Sequence, residues 1–121
     1  MRPSCLFVSL QPDAERIAIL LRNIGLDVVE KCDCCAAIDA VAAHNWAAVV
    51  VESHLQQQTG WSIVWILKGI RIFPPKFFLL CDNRHSVPHE KLRGYGVTDV
   101  LPRPLHDATA LKEILHVHGV V

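Results

Sequence analysis

Five short runs rich in apolar residues, separated by segments of helical periodicity, constrain what this chain can fold into more than any other feature. The runs lie at residues 5–10, 26–30, 46–51, 77–81 and 97–101. Between the first two runs, Ile17, Leu20, Leu21 and Ile24 recur at the spacing of one helix face. Strands buried on both faces of a parallel sheet read as apolar runs, and helical crossovers join them. The sequence therefore predicts parallel strands alternating with helices.

Start and stop signals mark the intervening helices. Pro12 suits the first turn of the first helix, Gly25 ends that helix, and Asp33 is placed to cap the second. A polar loop at residues 52–59 leads to Gly60 and a third helix. We expect an α/β fold with a flavodoxin-like, doubly wound, five-stranded parallel sheet, (βα)5, in strand order 2-1-3-4-5. The 121 residues suffice for one domain, spanning residues 1–121.

The charge balance argues against one large class of partner. Twelve basic and twelve acidic residues cancel and no basic run is present, so we expect no direct nucleic-acid binding by this domain. No stretch approaches the ~18 apolar residues that a membrane span needs, and no signal-peptide core is visible. Together with an odd number of cysteines, five, these features predict a cytoplasmic protein without a membrane segment.

The predicted strand ends identify the candidate functional positions. In doubly wound sheets the functional crevice lies outside the carboxyl ends of the strands. Here those ends carry Ser9 and Leu10, Glu52, Cys81 and Arg103. We therefore expect these side chains to meet in one crevice.

Four segments at these strand ends resemble the receiver domain of bacterial two-component response regulators. They are residues 8–12, residues 49–52 with Leu55 and Gly60, residues 79–81, and residues 96–104. In the family, the corresponding segments carry the acidic pair, the phosphoacceptor, the switch hydroxyl and Lys-Pro. The four segments here are similar to them in order and spacing, and the resemblance covers essentially the whole chain. The resemblance implies one receiver-like domain, expected to be the N-terminal regulatory domain of a longer regulator.

The departures from the family's pattern concern the residues that phosphorylation requires. Ser9 and Leu10 stand where an acidic pair would hold Mg²⁺, and Leu10 has no side-chain oxygen. Glu52 replaces the phosphoacceptor Asp, Cys81 replaces the switch hydroxyl, and Arg103 replaces Lys. Because phosphoryl transfer depends on a metal and on exact positioning, we expect a degenerate receiver that has no metal or cofactor and is not phosphorylated.

A regulatory role, not an enzymatic one, follows from this interpretation. We expect a phosphorylation-independent domain for regulation, dimerisation or protein interaction in a signal-transduction or transcription regulator. Its expected partner is a second copy, another regulatory protein or an output domain. The carboxylates Asp13, Glu52 and Asp99 lie in different segments and predict no catalytic pair. The alternative is a small-ligand sensor that admits an anion or nucleotide-like effector near Arg103.

Arg103 carries two further expectations. A Glu52 carboxylate facing the Arg103 guanidinium would imitate the phosphoryl–Lys contact of an active receiver and hold one state. The other interpretation is that Glu52 and Arg103 only compensate each other's charge at the rim of a degenerate crevice, without imitating the active state. The bond preceding Pro104 corresponds to one that is often cis in the family, and we expect cis geometry there.

The third predicted helix is unusually apolar, with Ser62 and Lys68 as its polar residues. Trp61, Trp65 and Ile66 are therefore interface candidates, unless Trp65 folds over a neighbouring short helix. The second candidate interface is the face that receivers commonly pair through, formed by the fourth helix, fifth strand and fifth helix. Its residues are Glu90, Lys91, Arg93, Lys112, Glu113 and Val100, the last replacing the family's aromatic switch.

Cysteines and histidines outside the crevice predict no site. Zinc sites need a second pair of ligands, and none is expected near Cys32, Cys34 and Cys35. We interpret these cysteines as small apolar residues. His116 and His118 are interpreted as part of a solvated or frayed helix end.

Overall fold

The computed structural model contains a parallel sheet with helices on both faces, and it describes residues 2–55, 58–82, 87–103 and 108–121. The strands are β1 (Ser4–Val8), β2 (Asp27–Lys31), β3 (Ala48–Glu52), β4 (His54–Leu55), β5 (Gln58–Thr59), β6 (Lys76–Cys81) and β7 (Val97–Pro102). The helices are α1 (Ala14–Ile24), α2 (Cys34–Ala43), α3 (Gly60–Lys68), α4 (His89–Gly94) and α5 (Thr109–Val117). None of the helices in these ranges is long and apolar enough to cross a membrane.

The main sheet has the strand order β2-β1-β3-β6-β7, and every neighbouring pair in it is parallel. Counted among themselves, these five strands follow the predicted 2-1-3-4-5 order, so the flavodoxin-like fold class is confirmed. One detail differs from the prediction. The segment expected as a polar loop at residues 52–59 contains a short antiparallel hairpin, in which β4 pairs with β5.

Each face of the sheet carries its own core. Leu6 and Val49 pack with residues of α2, α3 and α4 on one face. Phe7 and Val50 pack with residues of α1 and α5 on the other. The central strand β3 is buried along its whole length, as its apolar run predicts, and its last residue is Glu52. The fold therefore places a carboxylate at the buried end of its central strand.

The helix ends follow most of the predicted signals. The backbone N–H of Ala36 donates to Asp33 Oδ1 at 2.7 Å, which confirms the predicted cap of α2. Gly25 ends α1 with a φ of +121°, a conformation that costs glycine little. Pro12, predicted in the first turn of α1, instead lies in the turn before it, because Asp13 occupies the N-cap position.

Candidate functional site

A crevice of about 650 Å³ lies at the carboxyl ends of the parallel strands. Glu52, Cys81 and Arg103 meet there, as the strand ends predict. Ser9 and Leu10 do not line it, although the sequence places them at its edge. The Ser9 side chain is buried and its Oγ accepts from the Gln11 N–H at 3.1 Å, whereas Leu10 is exposed. The lining residues are Gln11, Pro12, Asp13, Glu52, Ser53, His54, Cys81, Asp82, Val87 and Arg103.

Arg103 is held at the end of β7 by its own backbone. Its N–H donates to the Cys81 carbonyl at 2.8 Å, which continues the pairing of β7 with β6 by one residue. The side chain is then directed into the crevice, where it is only 16% exposed. A guanidinium this far removed from water needs anionic partners, because its own hydration is lost.

Three carboxylates supply those partners, one on each nitrogen of the guanidinium. Arg103 Nη1 donates to both carboxylate oxygens of Asp13, at 2.5 and 2.6 Å. Nη2 pairs with Glu52 Oε1, and Nε donates to Asp82 Oδ1 at 2.9 Å. One guanidinium therefore faces three carboxylates, so the acidic groups of the cluster outnumber its basic group by three to one.

Asp13 and Asp82 are functional candidates that sequence reasoning missed. The expectation that Asp13 and Glu52 lie apart is wrong, because both carboxylates converge on Arg103. Asp13 reaches the site from the turn that precedes α1, and Asp82 directly follows β6. The available signal was position, since Asp13 stands three residues and Asp82 one residue beyond a predicted strand end.

Glu52 is the most buried member of the cluster. Its side chain is 3% exposed, compared with 30% for Asp13 and 89% for Asp82. Oε1 pairs with Arg103, whereas Oε2 is buried and has no hydrogen-bond partner among the described residues. A buried carboxylate oxygen without a donor is costly, and it marks a place where a further positive group would be favourable.

The expected interface residues divide into exposed and buried ones. Trp65 and Ile66 are 53% and 43% exposed on α3. Trp61 instead stacks on Tyr95, with ring centroids 4.5 Å apart, and the Trp65 ring meets the same Tyr95 edge-on. Val100 is 1% exposed and belongs to the core that α4 covers, so its expected place on an interface is wrong. The charged residues of the second face are all exposed, namely Glu90, Lys91, Arg93, Lys112 and Glu113.

The C-terminal histidines are better anchored than the sequence predicts. His118 Nε2 lies 2.8 Å from Asp99 Oδ2, and Lys76 Nζ donates to the His118 carbonyl. The expectation of a solvated or frayed end is therefore wrong for His118, because β7 supplies a carboxylate beside it. His116 is exposed.

Cysteine environments differ between the core and the surface. Burial raises the pKa of the Cys5 thiol to about 12, so this side chain stays neutral and inert. Partial burial, with Cys35 and Asp33 nearby, also raises the pKa of Cys34, while Cys32 and Cys35 are exposed. No cysteine of the described ranges belongs to a group of three or more potential metal ligands. Pro104, where we expect a cis bond, lies outside the described residues.

Comparisons with known proteins are informative at the level of structure. No family model matches the sequence, and no curated protein matches it either. Among solved structures, a CheY-like response regulator receiver domain from Methylobacillus flagellatus is 21% identical, with a TM-score of 0.81 over 97% of this chain and 98% of that one. A sensor protein from Polaromonas sp. JS666 is also 21% identical, with a TM-score of 0.79 over 97% of this chain and 95% of the other.

A third similar solved structure was determined with a metal bound. It is the receiver domain of the sensor histidine kinase PA1611 from Pseudomonas aeruginosa PAO1, with a magnesium ion coordinated in the active site cleft. It is 20% identical, with a TM-score of 0.74 over 96% of this chain and 97% of that chain. These three likenesses agree on the fold. The chain therefore has the CheY-like receiver-domain fold of response regulators.

Proposed function

We propose that this chain is a regulatory domain in signal transduction that acts without phosphorylation, through contacts with a second copy or with another regulatory protein. The observation that carries the proposal is the engagement of Arg103 by Asp13, Glu52 and Asp82. By its resemblance, Arg103 stands where receivers have the Lys that contacts the phosphoryl group. Here the positively charged side chain at that position is already paired with carboxylates of the chain itself.

The charge of the crevice supports the absence of phosphorylation. Three carboxylates around one guanidinium leave two negative charges uncompensated. A phosphodonor brings further negative charge, which such a crevice repels unless a metal neutralises it. In addition, the Glu52 side chain is only 3% exposed, so a phosphodonor has little access to its carboxylate. Both effects oppose formation of an acyl phosphate on Glu52.

The fixed ion pair between Glu52 and Arg103 supports a domain that is held in one state. A receiver that switches needs two states whose populations a phosphoryl group shifts, and here no external group is required for the contact. We expect Glu52→Gln to weaken partner binding or self-association, measured by titration calorimetry or by mass in solution. Unchanged binding and mass in Glu52→Gln would count against a state set by this pair.

The exposed apolar surface of α3 supports a protein partner. Trp65 and Ile66 are large side chains of the kind enriched in interface cores, and they are adjacent on the outer side of the helix. The second face, formed by α4, β7 and α5, carries exposed charges of both signs. Such a face suits a self-complementary contact between two copies.

Treatment with acetyl phosphate and Mg²⁺ tests the phosphorylation part of the proposal. The intact mass should show no phosphoryl adduct in the wild-type chain. A Mg²⁺-dependent adduct that is absent from Glu52→Gln would refute it, because it would identify Glu52 as an acceptor. A bona fide receiver treated in parallel controls for the donor's activity.

Mass in solution, measured by light scattering across a range of concentrations, tests the partner contacts. If α3 forms the dimer contact, Trp65→Glu should give a monomer at concentrations where the wild type is a dimer. Ile19→Glu is a matched control, because Ile19 is a similarly exposed apolar residue on α1. A dimer that survives Trp65→Glu but is lost on charge reversal at Lys91 and Lys112 would assign the contact to the second face.

Ligand sensing is the second candidate function, because the crevice has the volume to admit a small molecule. An anionic effector would have to displace a carboxylate from Arg103, so we expect weak binding at most. A thermal-shift screen with mono- and dinucleotides and inorganic phosphate separates the two functions. Stabilisation by a ligand, lost in Arg103→Met, would favour the sensor.

A further inference from the structure

Two large apolar side chains lie almost entirely in solvent on the connection between α3 and β6. Ile72 and Phe73 are each 90% exposed, compared with 53% for Trp65 on α3. The connection lies at the amino ends of the strands, which is the end of the sheet opposite the crevice. Single exposed apolar residues are common on protein surfaces, but adjacent large ones form a patch that favours association. We call Ile72 and Phe73 the apolar tip.

The apolar tip is fixed at its base and stiffened on its other side. Arg71, directly before the tip, donates from Nε to the Val41 carbonyl at 2.8 Å and from Nη2 to the Ala42 carbonyl at 3.0 Å. Two prolines follow Phe73, and each ring restricts its own φ and the conformation of the residue before it. A preorganised tip loses little conformational entropy when it binds, so association through it costs less.

The charged groups on either side of the tip are already engaged by helix ends. Arg71 binds carbonyls in the last turn of α2, and Lys76 Nζ donates to the carbonyl of His118, which follows α5. The carboxyl end of a helix carries partial negative charge, which compensates these cations. Residues 72–75 themselves have no polar side chain. The tip therefore suits an uncharged apolar surface better than an anionic one such as phosphate or lipid.

A hollow of about 380 Å³ lies directly beside the tip. The end of α2 forms one wall of it and the tip forms the other. Because the tip and the hollow share one surface, a two-fold rotation can place the tip of each copy in the hollow of the other. The surface is in this sense complementary to itself. The hollow is lined by Ala42, Asn45, Ile70, Arg71, Ile72 and Phe73.

We propose that the apolar tip and this hollow form a two-fold self-association surface, in which Phe73 of each copy enters the hollow of the other. The two tip side chains offer on the order of 300 Å² per copy, less than the roughly 800 Å² per partner of a stable complex, so the contact is weak and depends on concentration. The inference deepens the proposed function, on which it rests, by naming a second copy as the partner. The surface is separate from the outer side of α3 and from the charged second face.

Sedimentation equilibrium from roughly 10 µM to 1 mM, the range of a weak contact, tests the tip. The average mass of the wild type should rise from 13.5 kDa towards twice that value. Phe73→Ser should stay a monomer throughout, with an unchanged Tm because the side chain is exposed. Ile19→Ser, which removes an exposed apolar residue of α1, should associate as the wild type does. A second series in a Trp65→Glu background removes any contact through α3.

A pair of neighbouring alanines tests the hollow separately from the tip. Ala42→Arg should fill the hollow and abolish association while the tip itself is unchanged. Ala43→Arg is the matched control, because Ala43 is also exposed but lines a different hollow, on the side of α2 that faces β2. It should leave the association unchanged. Equal losses in both variants would overturn the assignment of this hollow.

Four further outcomes would overturn the proposal. They are a wild type that is monomeric at 1 mM, an association that survives Phe73→Ser, growth beyond the dimer in the Trp65→Glu background, and Phe73-dependent binding of a monomeric wild type to phosphatidylglycerol vesicles. Growth beyond the dimer would mean a head-to-tail contact that does not close. Vesicle binding would assign the tip to a lipid surface. A phosphoryl adduct on Glu52 would refute the proposed function and leave these masses unchanged, whereas failure of the tip contact leaves the adduct test unaffected.

Discussion

Gly60 packs directly against the backbone carbonyl of Glu52, where α3 begins beside the end of β3. A Cβ at Gly60 would overlap the Glu52 carbonyl oxygen and would lie 2.6 Å from Leu79 Cδ1. The Gly60 N–H donates to the Ser53 carbonyl at 2.8 Å, and the Ser53 N–H donates to the Leu80 carbonyl at the same distance. The missing side chain at position 60 therefore allows the helix to approach the strand that carries Glu52.

Gly60→Ala should lower the free energy of unfolding by about 3 kcal/mol, because a backbone atom, not a flexible side chain, blocks the new methyl group. Urea denaturation followed by tryptophan fluorescence measures this loss. Gly94→Ala is the matched control, since a Cβ there meets nothing within 4 Å and Gly94 ends a helix. This control should be neutral or slightly stabilising. Equal losses in both variants would contradict the close approach.

The two outer carboxylates of the Arg103 cluster should differ in their contribution to stability. Asp13→Asn should cost about 1 kcal/mol, because Asp13 is 30% exposed and binds Arg103 through both oxygens. Asp82→Asn should give no measurable loss, because Asp82 is 89% exposed and its pair is screened by water. Chemical denaturation at low and high salt measures both. A larger loss for Asp82→Asn would show that burial does not set the order.

The buried Cys5 thiol should make stability fall at alkaline pH. Burial raises the pKa of Cys5 from 9.0 to about 12, so above pH 9 the unfolded chain loses a proton that the folded chain keeps. The free energy of unfolding should therefore be fully retained below about pH 9 and should fall by about 1.4 kcal/mol per pH unit as the pH rises towards 12.

Cys5→Ala removes this titration, so its stability should fall less steeply than that of the wild type between pH 9 and 12. Cys35→Ala, at an exposed position, should follow the wild-type profile. Denaturation curves at half-unit pH steps provide the comparison. Parallel profiles for the wild type and Cys5→Ala would disprove the contribution of this thiol.

The stacked rings of Trp61 and Tyr95 should couple α3 to the loop after α4. Their centroids are 4.5 Å apart, with an angle of 29° between the ring planes. A double-mutant cycle with Trp61→Leu and Tyr95→Leu should give a coupling energy of about 1 kcal/mol. The same cycle with Trp46, whose ring pairs with His44 instead, should give a value near zero. Similar couplings in both cycles would argue for a global effect.

Local sequence features determined the order and type of the elements. The apolar runs became the five strands of the main sheet, and Asp33 and Gly25 mark helix ends as their side-chain chemistry predicts. These features act within a few residues of the chain, through burial, capping and backbone conformation, so they can be read without knowing the fold. The meeting of Glu52 and Arg103 was also predictable, because parallel strands end at one edge.

Only the tertiary structure decided which partners each charge has. Asp13 stands 90 residues and Asp82 stands 21 residues from Arg103 in the chain, and neither has a local pattern that points to it. Val100 lies in the edge strand, but α4 covers it, and β7 supplies the Asp99 that anchors His118. Side-chain contacts of this kind depend on where turns and helices lie to within a few ångströms. The pattern of apolar residues does not specify those positions. A strand pattern specifies where the crevice lies and which strand ends meet there, whereas only the folded chain shows that Asp13 and Asp82 join Glu52 around Arg103.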